Sequence, residues 1–412
     1  MRFRTERIIE RLNTLASISD SENCIDRVYG TEAHTISGNV LITWMQEAGL
    51  KAYRDTIGNI KGELTSSKKG AKHFIIGSHY DTVFDAGKYD GPLGILLGLE
   101  VAEYFYENNI PLPFHLNIVA FADEEGARYN TAYLGSSAIA GCFEHEWLER
   151  KDDSGISLAE VLKNNACDNS TINNDAFIKE NCLGYFEAHI EQGPVLCNED
   201  LPVCLVDGIA SQTRINVAWS GVSGHAGTYP MMHRNDAFCA SAAFALEVEK
   251  IGKDNTDKLV ATIGKLNLFP NTPNVIPGKV IHTLDIRSSD DDFLKEVSEI
   301  LEDRATEIAK ERNIDLVWDI KQTNPSVQCD ETLKEVLRTS IKNSGIKKIV
   351  ELPSGAGHDA VMVSKIAPVS MLFIRCKEGI SHNPLEYASP EDIEKSLEVC
   401  DNFILELKKQ YD

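Results

Sequence analysis

The stretch HFIIGSHYDTVFDAGKYDGPLGILLGLEVAEYFYENN, residues 73–109, holds a strand, a loop and a helix in one line. HFIIG is a short apolar run of strand length that enters a polar loop at Ser78. From Pro92 onward apolar residues recur at helical spacing. A proline in the first helical turn has no amide hydrogen to waste, so the helix is expected to begin at about position 92. The next apolar run, HLNIVAFA (115–122), supplies a second buried strand and ends directly on Asp123, Glu124 and Glu125. In open α/β sheets functional groups gather beyond the carboxyl ends of strands. Both His79 with Asp81 and the acidic triplet stand at such ends.

Working outward, residues 5–16 and 36–49 show helical spacing. Between 211 and 322 the texture changes to strand (RINVAWS), helix (235–251), strand (LVATIGKLNLF), strand (KVIHTLDIR), helix (290–312) and strand (DLVWDI). That β-α-β-β-α-β order predicts a ferredoxin-like α+β domain. The flanks resume α/β alternation and close on a helix over 390–409. The expected organisation is one discontinuous α/β domain, 1–210 with 323–412, carrying a second domain inserted over 211–322.

The 412 residues carry 41 Lys plus Arg against 63 Asp plus Glu, a formal charge of −22. Such a surface repels phosphate backbones and anionic lipid, which argues against nucleic-acid and membrane partners. Charge runs through the first residues where a secretory signal would need an apolar core, so a cytoplasmic protein is expected. Ten cysteines lie scattered without a CxxC pair. Free thiols are expected, not a disulfide framework or a thiolate zinc site.

Four segments carry candidate chemistry. In GSHYDTVFDAGKYDG, His79, Asp81 and Asp90 are metal-ligand types, and an Asp two residues from a ligating His can fix its tautomer; equally, His79 and Asp81 could merely cap a loop. Asp123, Glu124 and Glu125 repel one another unless a cation offsets them, and one could ligate while its neighbour acts as general base. A solvated acidic turn is the plainer alternative. His189 in EAHIEQGP and His382 in GISHNPLEY are unremarkable alone, since a single histidine is more often a satisfied core or surface residue.

Taken in order, GSHYDT, YDGPLG, FADEEGARY, EAHIEQGP, GVSGHAGTYP, NTPNVIPG, DIRSSD, SGAGHDA and GISHNP make the chain similar to the amidohydrolase and carbamoylase branch of the aminoacylase-like dinuclear metallopeptidases. The resemblance runs over nearly the whole length. It implies a catalytic domain built on a mixed sheet flanked by helices, with the insertion serving as lid and dimerisation domain. It implies two divalent ions, zinc or manganese with cobalt and nickel as alternatives. His79, Asp90 and His189 would hold one ion, and Asp90, Glu125 and His382 the other, with Asp90 bridging. Glu124 would be the general base and Asp81 the orienter of His79. His225 would stabilise an oxyanion, and Gln192, His225, Asn274, Arg287, Gly355 and His358 would contact substrate. Arg287 could as easily pair with Asp285 or Asp290 at the surface. Related exopeptidases and deacylases usually place a carboxylate where His189 stands, so the neutral ligand here makes for stronger Lewis acids.

The implied reaction is hydrolysis of a linear amide C–N bond in a carbamoyl or ureido carboxylate, either an N-carbamoyl-L-amino acid or allantoate. The runner-up is a dipeptidase or N-acyl amino acid deacylase, and a third reading is a non-catalytic binder of small carboxylates. The resemblance also implies a homodimer in which the partner's inserted domain completes each site, and a cis peptide between Asp90 and Gly91. For Tyr80, substrate contact and packing both stay open.

Overall fold

The computed structural model describes residues 1–164 and 169–412. It divides into two compact units, Met1–Asp207 with Gln328–Asp412, and Gly208–Val327.

The first unit is built on a mixed sheet. Its strands are β1 (Lys51–Arg54), β2 (Ile60–Leu64), β3 (His73–His79), β4 (His115–Phe121), β5 (Cys182–Ile190) and β6 (Val203–Ile209). To these the chain later adds β14 (Val327–Gln328), β15 (Glu351–Ser354) and β16 (Val369–Ile374). The order is β1-β2-β4-β3-β5-β16-β6-β14, with β15 also on β6. The four central strands β4, β3, β5 and β16 are mutually parallel, so their carboxyl ends share one edge. Their burial is nearly continuous, as strands covered on both faces require. Chain order reverses at β3, whose neighbours are β4 on one side and β5 on the other. A crevice opens at such a point, and ligands bind there.

Three helices cover the beginning of this sheet: α1 (Arg2–Ala16), α2 (Glu32–Glu47) and α3 (Pro92–Glu107). α3 starts at the expected proline and lies unusually close to the strands beneath it. A Cβ on Gly94 would come 2.1 Å from the Ala188 carbonyl oxygen, and one on Gly98 would come 2.7 Å from Ile76 Cγ2. The two glycines, four apart and on one helix face, let the backbone of α3 press onto β3 and β5. α1 is fastened to α3 by charge. Glu100, fully buried, receives Arg4 at 3.0 Å and Arg7 at 2.6 Å, while Arg11 holds Glu103 at 2.9 Å and Arg4 also reaches Asp401.

The second unit is a five-stranded antiparallel sheet of β7 (Ser211–Ser220), β9 (Val260–Thr262), β10 (Leu266–Phe269), β12 (Lys279–Ser288) and β13 (Asp315–Asn324). The order β10-β12-β7-β13, with β9 also on β12, is the one a ferredoxin-like chain produces. β12 alternates buried and half-buried positions along its length, the pattern of a sheet covered on one face. Trp219, Phe244 and Leu301 fill the core under helices Ala237–Asp254 and Asp291–Glu311. The stretch expected as one strand over LVATIGKLNLF is two, because the pairing with β12 stops after Thr262 and resumes at Leu266. A separate two-stranded ribbon pairs β8 (Gly224–His225) with β11 (Val275–Ile276). Among the described residues no helix is long and apolar enough to cross a membrane.

The buried charge cluster generates a prediction. Glu100→Gln leaves Arg4 and Arg7 short of their shared carboxylate, and unfolding in urea should show a loss of about 1–3 kcal/mol. A loss within about 0.5 kcal/mol would rank the cluster with ordinary surface pairs.

Candidate metal centre

The carboxyl ends of β3, β4 and β5 deliver His79, the Asp123–Glu125 triplet and His189 to one edge of the sheet. β3 pairs with β5 in parallel with Ile76 opposite Phe186, and the same offset brings His79 opposite His189. Their Nε2 atoms lie 3.5 Å apart. His79 Nδ1 lies 3.1 Å from the Asp81 carbonyl oxygen, and His189 Nδ1 lies 3.0 Å from that of Ile190. A ring nitrogen that bonds a carbonyl carries the proton, so in both residues Nε2 presents a lone pair. Asp90 Oδ1 lies 3.0 Å from His189 Nε2 and 3.6 Å from His79 Nε2, yet it accepts no hydrogen bond among the described residues. In that tautomer the two Nε2 atoms and Asp90 Oδ1 are three acceptors facing one another, an arrangement that a cation satisfies.

The other oxygen of Asp90 faces a second group. Oδ2 lies 3.1 Å from His382 Nε2, and the same nitrogen lies 3.3 Å from Glu125 Oε1. His79, Asp90 and His189 therefore form one possible ligand set and Asp90, Glu125 and His382 another, with Asp90 common to both. The donors are imidazole and carboxylate, which suit zinc and manganese alike. A further grouping, Glu187 with His189 and His358, is already engaged. Glu187 accepts from Ser78 at 3.2 Å, Tyr185 at 2.8 Å and the Ala360 amide at 3.3 Å.

The electrostatics agree with a site made for cations. Burial acts to raise the Asp90 pKa, but the attraction of His189 and hydrogen bonding with His189, His382 and His79 outweigh it when those rings carry a proton in place of a metal, and hold the group well below the usual carboxylate range. His382 is raised to about 10 by hydrogen bonding to Asp90 and Glu125. Burial pushes Glu124 well above the usual range, opposed by His79 and reinforced by Glu125. Three non-glycine residues here, Asp123, Gln192 and His382, have φ of 59°, 57° and 52°. Left-handed backbone of this kind costs of order 1–3 kcal/mol per residue and collects at functional sites.

The sequence profile of peptidase family M20/M25/M40 matches residues 75–406. The chain belongs to that family. It is 36% identical to allantoate deiminase 2 of Glycine max, over 93% of this chain and 86% of that one. It is 35% identical to an N-carbamoyl-L-amino acid amidohydrolase of Geobacillus stearothermophilus, over 98% of both. A crystal structure of a hydantoinase/carbamoylase family amidase from Burkholderia multivorans superposes with a TM-score of 0.86 at 30% identity, covering 98% of this chain and 97% of the other. As an M20 protein the chain has His, Asp and Glu groups compatible with divalent metal binding.

Several expectations need revision. The Asp81 carboxylate does not hold His79, from which it lies 3.8 Å away. It accepts the Glu124 amide at 3.1 Å and the Glu125 amide at 3.2 Å, while the Asp81 main-chain oxygen orients His79. Among the described residues the cis peptide is Phe269–Pro270, and the bond between Asp90 and Gly91 is trans. The tight turn there is made by Gly91 at φ 84° and ψ −62°, where a Cβ would stand 2.4 Å from the His79 carbonyl oxygen. Tyr80 is fully buried, donates to Gly58 O at 2.7 Å and stacks on His34, so it packs and does not meet substrate.

The expected substrate contacts divide. Gln192 donates Nε2 to Asp90 Oδ2 at 2.9 Å, and its Oε1 has no partner among the described residues. His358 is buried, lies 2.8 Å from Ser354 Oγ and sets its ring edge-on to the ligand candidate His189. Nothing lies within 4 Å of a Cβ built on Gly355, which fits a lining position. His225, Asn274 and Arg287 belong to the second unit. His225 and Asn274 are held together by the ribbon, with the Ala226 amide donating to the Asn274 carbonyl at 2.9 Å. Arg287 grips Asp285 with Nε at 2.8 Å and Nη2 at 3.1 Å, the surface pairing left open by the sequence.

Sequence reasoning passed over Ser381 and Glu386, although both sit in the quoted GISHNPLEY. Ser381 Oγ lies 2.8 Å from Asp90 Oδ2, and Glu386 receives the Tyr89 and Asp90 amides.

The orphaned acceptors predict a large stabilisation by metal. Protein stripped with a chelator should unfold at lower temperature, and zinc or manganese should raise the midpoint with increasing concentration, as a ligand specific to the native state must. A midpoint indifferent to both ions would contradict the ligand sets.

Proposed function

We propose that the chain is a two-metal amidohydrolase acting on the carbamoyl or ureido group of a small carboxylate, an N-carbamoyl-L-amino acid or allantoate, with release of ammonia and carbon dioxide. The observation that carries this reading is the division of Asp90: one oxygen faces His79 and His189, the other faces His382 beside Glu125. Support for the substrate class comes from the names of the relatives.

His79, Asp90 and His189 would hold one ion, and Asp90, Glu125 and His382 the second, zinc or manganese. Ions held there supply Lewis acidity, polarising a carbonyl and easing deprotonation of water. Glu124, buried with its amide fixed by Asp81, takes a proton from the attacking water and returns it to the leaving nitrogen as the C–N bond breaks. Gln192 and Gly355 are the first unit's candidates for substrate contact, and Asn274 is the second unit's, with an amide able to bond a substrate carbonyl. The free state of the nine described cysteines suits a reducing cytoplasm.

The test is a panel of N-carbamoyl amino acids, N-carbamoyl-β-alanine, allantoate, dipeptides and N-acetyl amino acids, assayed for ammonia and free amine with zinc or manganese. Ammonia should appear from ureido substrates only; amine without ammonia from N-acetyl compounds or dipeptides would instead make the chain a deacylase or peptidase. On the active substrate Glu124→Gln should lose about 100-fold or more in kcat while retaining metal.

The homodimer is part of the proposal: His225 and Asn274, side by side on an exposed ribbon, serve the partner's metal centre, His225 taking up oxyanion charge. Mixing Glu124→Gln with His225→Ala under subunit exchange should restore roughly a quarter of wild-type turnover, since random pairing makes half the dimers mixed and each mixed dimer has one intact site. No recovery despite demonstrated exchange would return His225 to its own chain or remove it from catalysis.

A further inference from the structure

The loop that carries His382 is tied to the loop that carries Asp90 by a side chain to which nothing so far gives a role. After Ser381 and His382 the chain makes a tight turn closed by Asn383, whose side-chain oxygen accepts the Leu385 amide at 2.9 Å and whose carbonyl accepts the Glu386 amide at 3.0 Å. The turn sends Glu386 back toward the start of α3, where it is buried. Its Oε1 accepts the Tyr89 amide at 2.8 Å and the Asp90 amide at 3.0 Å, and its Oε2 lies 3.1 Å from Ser381 Oγ. Ser381 Oγ in turn lies 2.8 Å from Asp90 Oδ2. The opposing loop is shaped to admit this carboxylate, because a Cβ on Gly87 would stand 2.3 Å from Glu386 Cδ.

One side chain thus grips the backbone of the shared ligand, Asp90, and through Ser381 the residue next to the exposed ligand, His382. We infer that Glu386 is a positioning residue that holds Asp90 and His382 at ligating separation and so sets the affinity of the Asp90–Glu125–His382 seat. The His79–Asp90–His189 seat depends on it less, because His79 and His189 are fixed by β3, β5 and their own carbonyl partners. The inference rests on the two-metal reading. Residues that orient ligands from behind commonly govern metal affinity by 10- to 100-fold.

The experiment titrates metal-free full-length protein with zinc, and separately with manganese, against a chromophoric chelator, and counts bound equivalents. Glu386→Ala should keep one equivalent at wild-type affinity and weaken the second about 10- to 100-fold. Glu386→Gln should stay near wild type, because an amide oxygen accepts both backbone N–H groups and its NH2 reaches Ser381. Should Glu386→Ala fail to fold by circular dichroism, Ser381→Ala carries the test, since it cuts the link to the His382 loop and leaves the turn intact; selective weakening of the second equivalent is again expected. Wild-type affinity for both equivalents in Glu386→Ala or, where that variant does not fold, in Ser381→Ala overturns the inference, as does a loss in Glu386→Gln equal to that in Glu386→Ala. A wild-type protein that binds neither ion refutes the two-metal reading itself.

Discussion

Unpaired acceptors gathered in a buried space constrain everything near the edge of the large sheet. Asp81, Asp90, Asp123, Glu124, Glu187 and Asp359 are all buried within this one region, and His79 and His189 aim lone pairs into it. Some of this charge is answered inside the protein, as where Asp81 takes two backbone amides and Glu187 takes Ser78 and Tyr185. Asp90 Oδ1 is not answered. Buried carboxylates without partners are expensive, and a fold tolerates them only where something positive completes the set.

The scaffold meets that demand by closeness. Parallel strands β3 and β5 put His79 beside His189, and the glycine face of α3 lets the helix sit low enough for Asp90 to reach them. Gly91 supplies the sharp turn between ligand and helix that no residue with a side chain could make against the His79 carbonyl. The left-handed residues Gln192 and His382 stand in the loops that follow β5 and β16.

Much of this was legible in the chain. Hydrophobic period and the proline at position 92 locate β3, β4 and α3, and the motif order groups His79, Asp90, Glu125, His189 and His382 as one candidate set. What failed were statements about atoms. Spacing says that Asp81 lies near His79 but cannot say whether carboxylate or carbonyl does the orienting. A Gly after Asp90 is equally readable as a cis bond or as positive φ, and only backbone coordinates decide. Glu386 stood in plain view four residues past His382, yet its partners, the amides at 89 and 90, are almost three hundred residues away in sequence. Arg287 was ambiguous because an arginine beside two aspartates looks the same whether it serves them or a ligand.

The unequal burial of the two ligand sets has its own consequence. The His79 and His189 side chains are 3% and 1% exposed, whereas the His382 side chain is 47% exposed. Of the two candidate ligand sets, the one with His79 and His189 therefore lies in the interior and the one with His382 lies at the surface. An ion held by the His382 set would stay within reach of solvent, while one held by the His79 and His189 set would be shielded from it. The one carboxylate common to both sets, Asp90, would then serve an environment like a protein interior with one oxygen and an environment like its surface with the other.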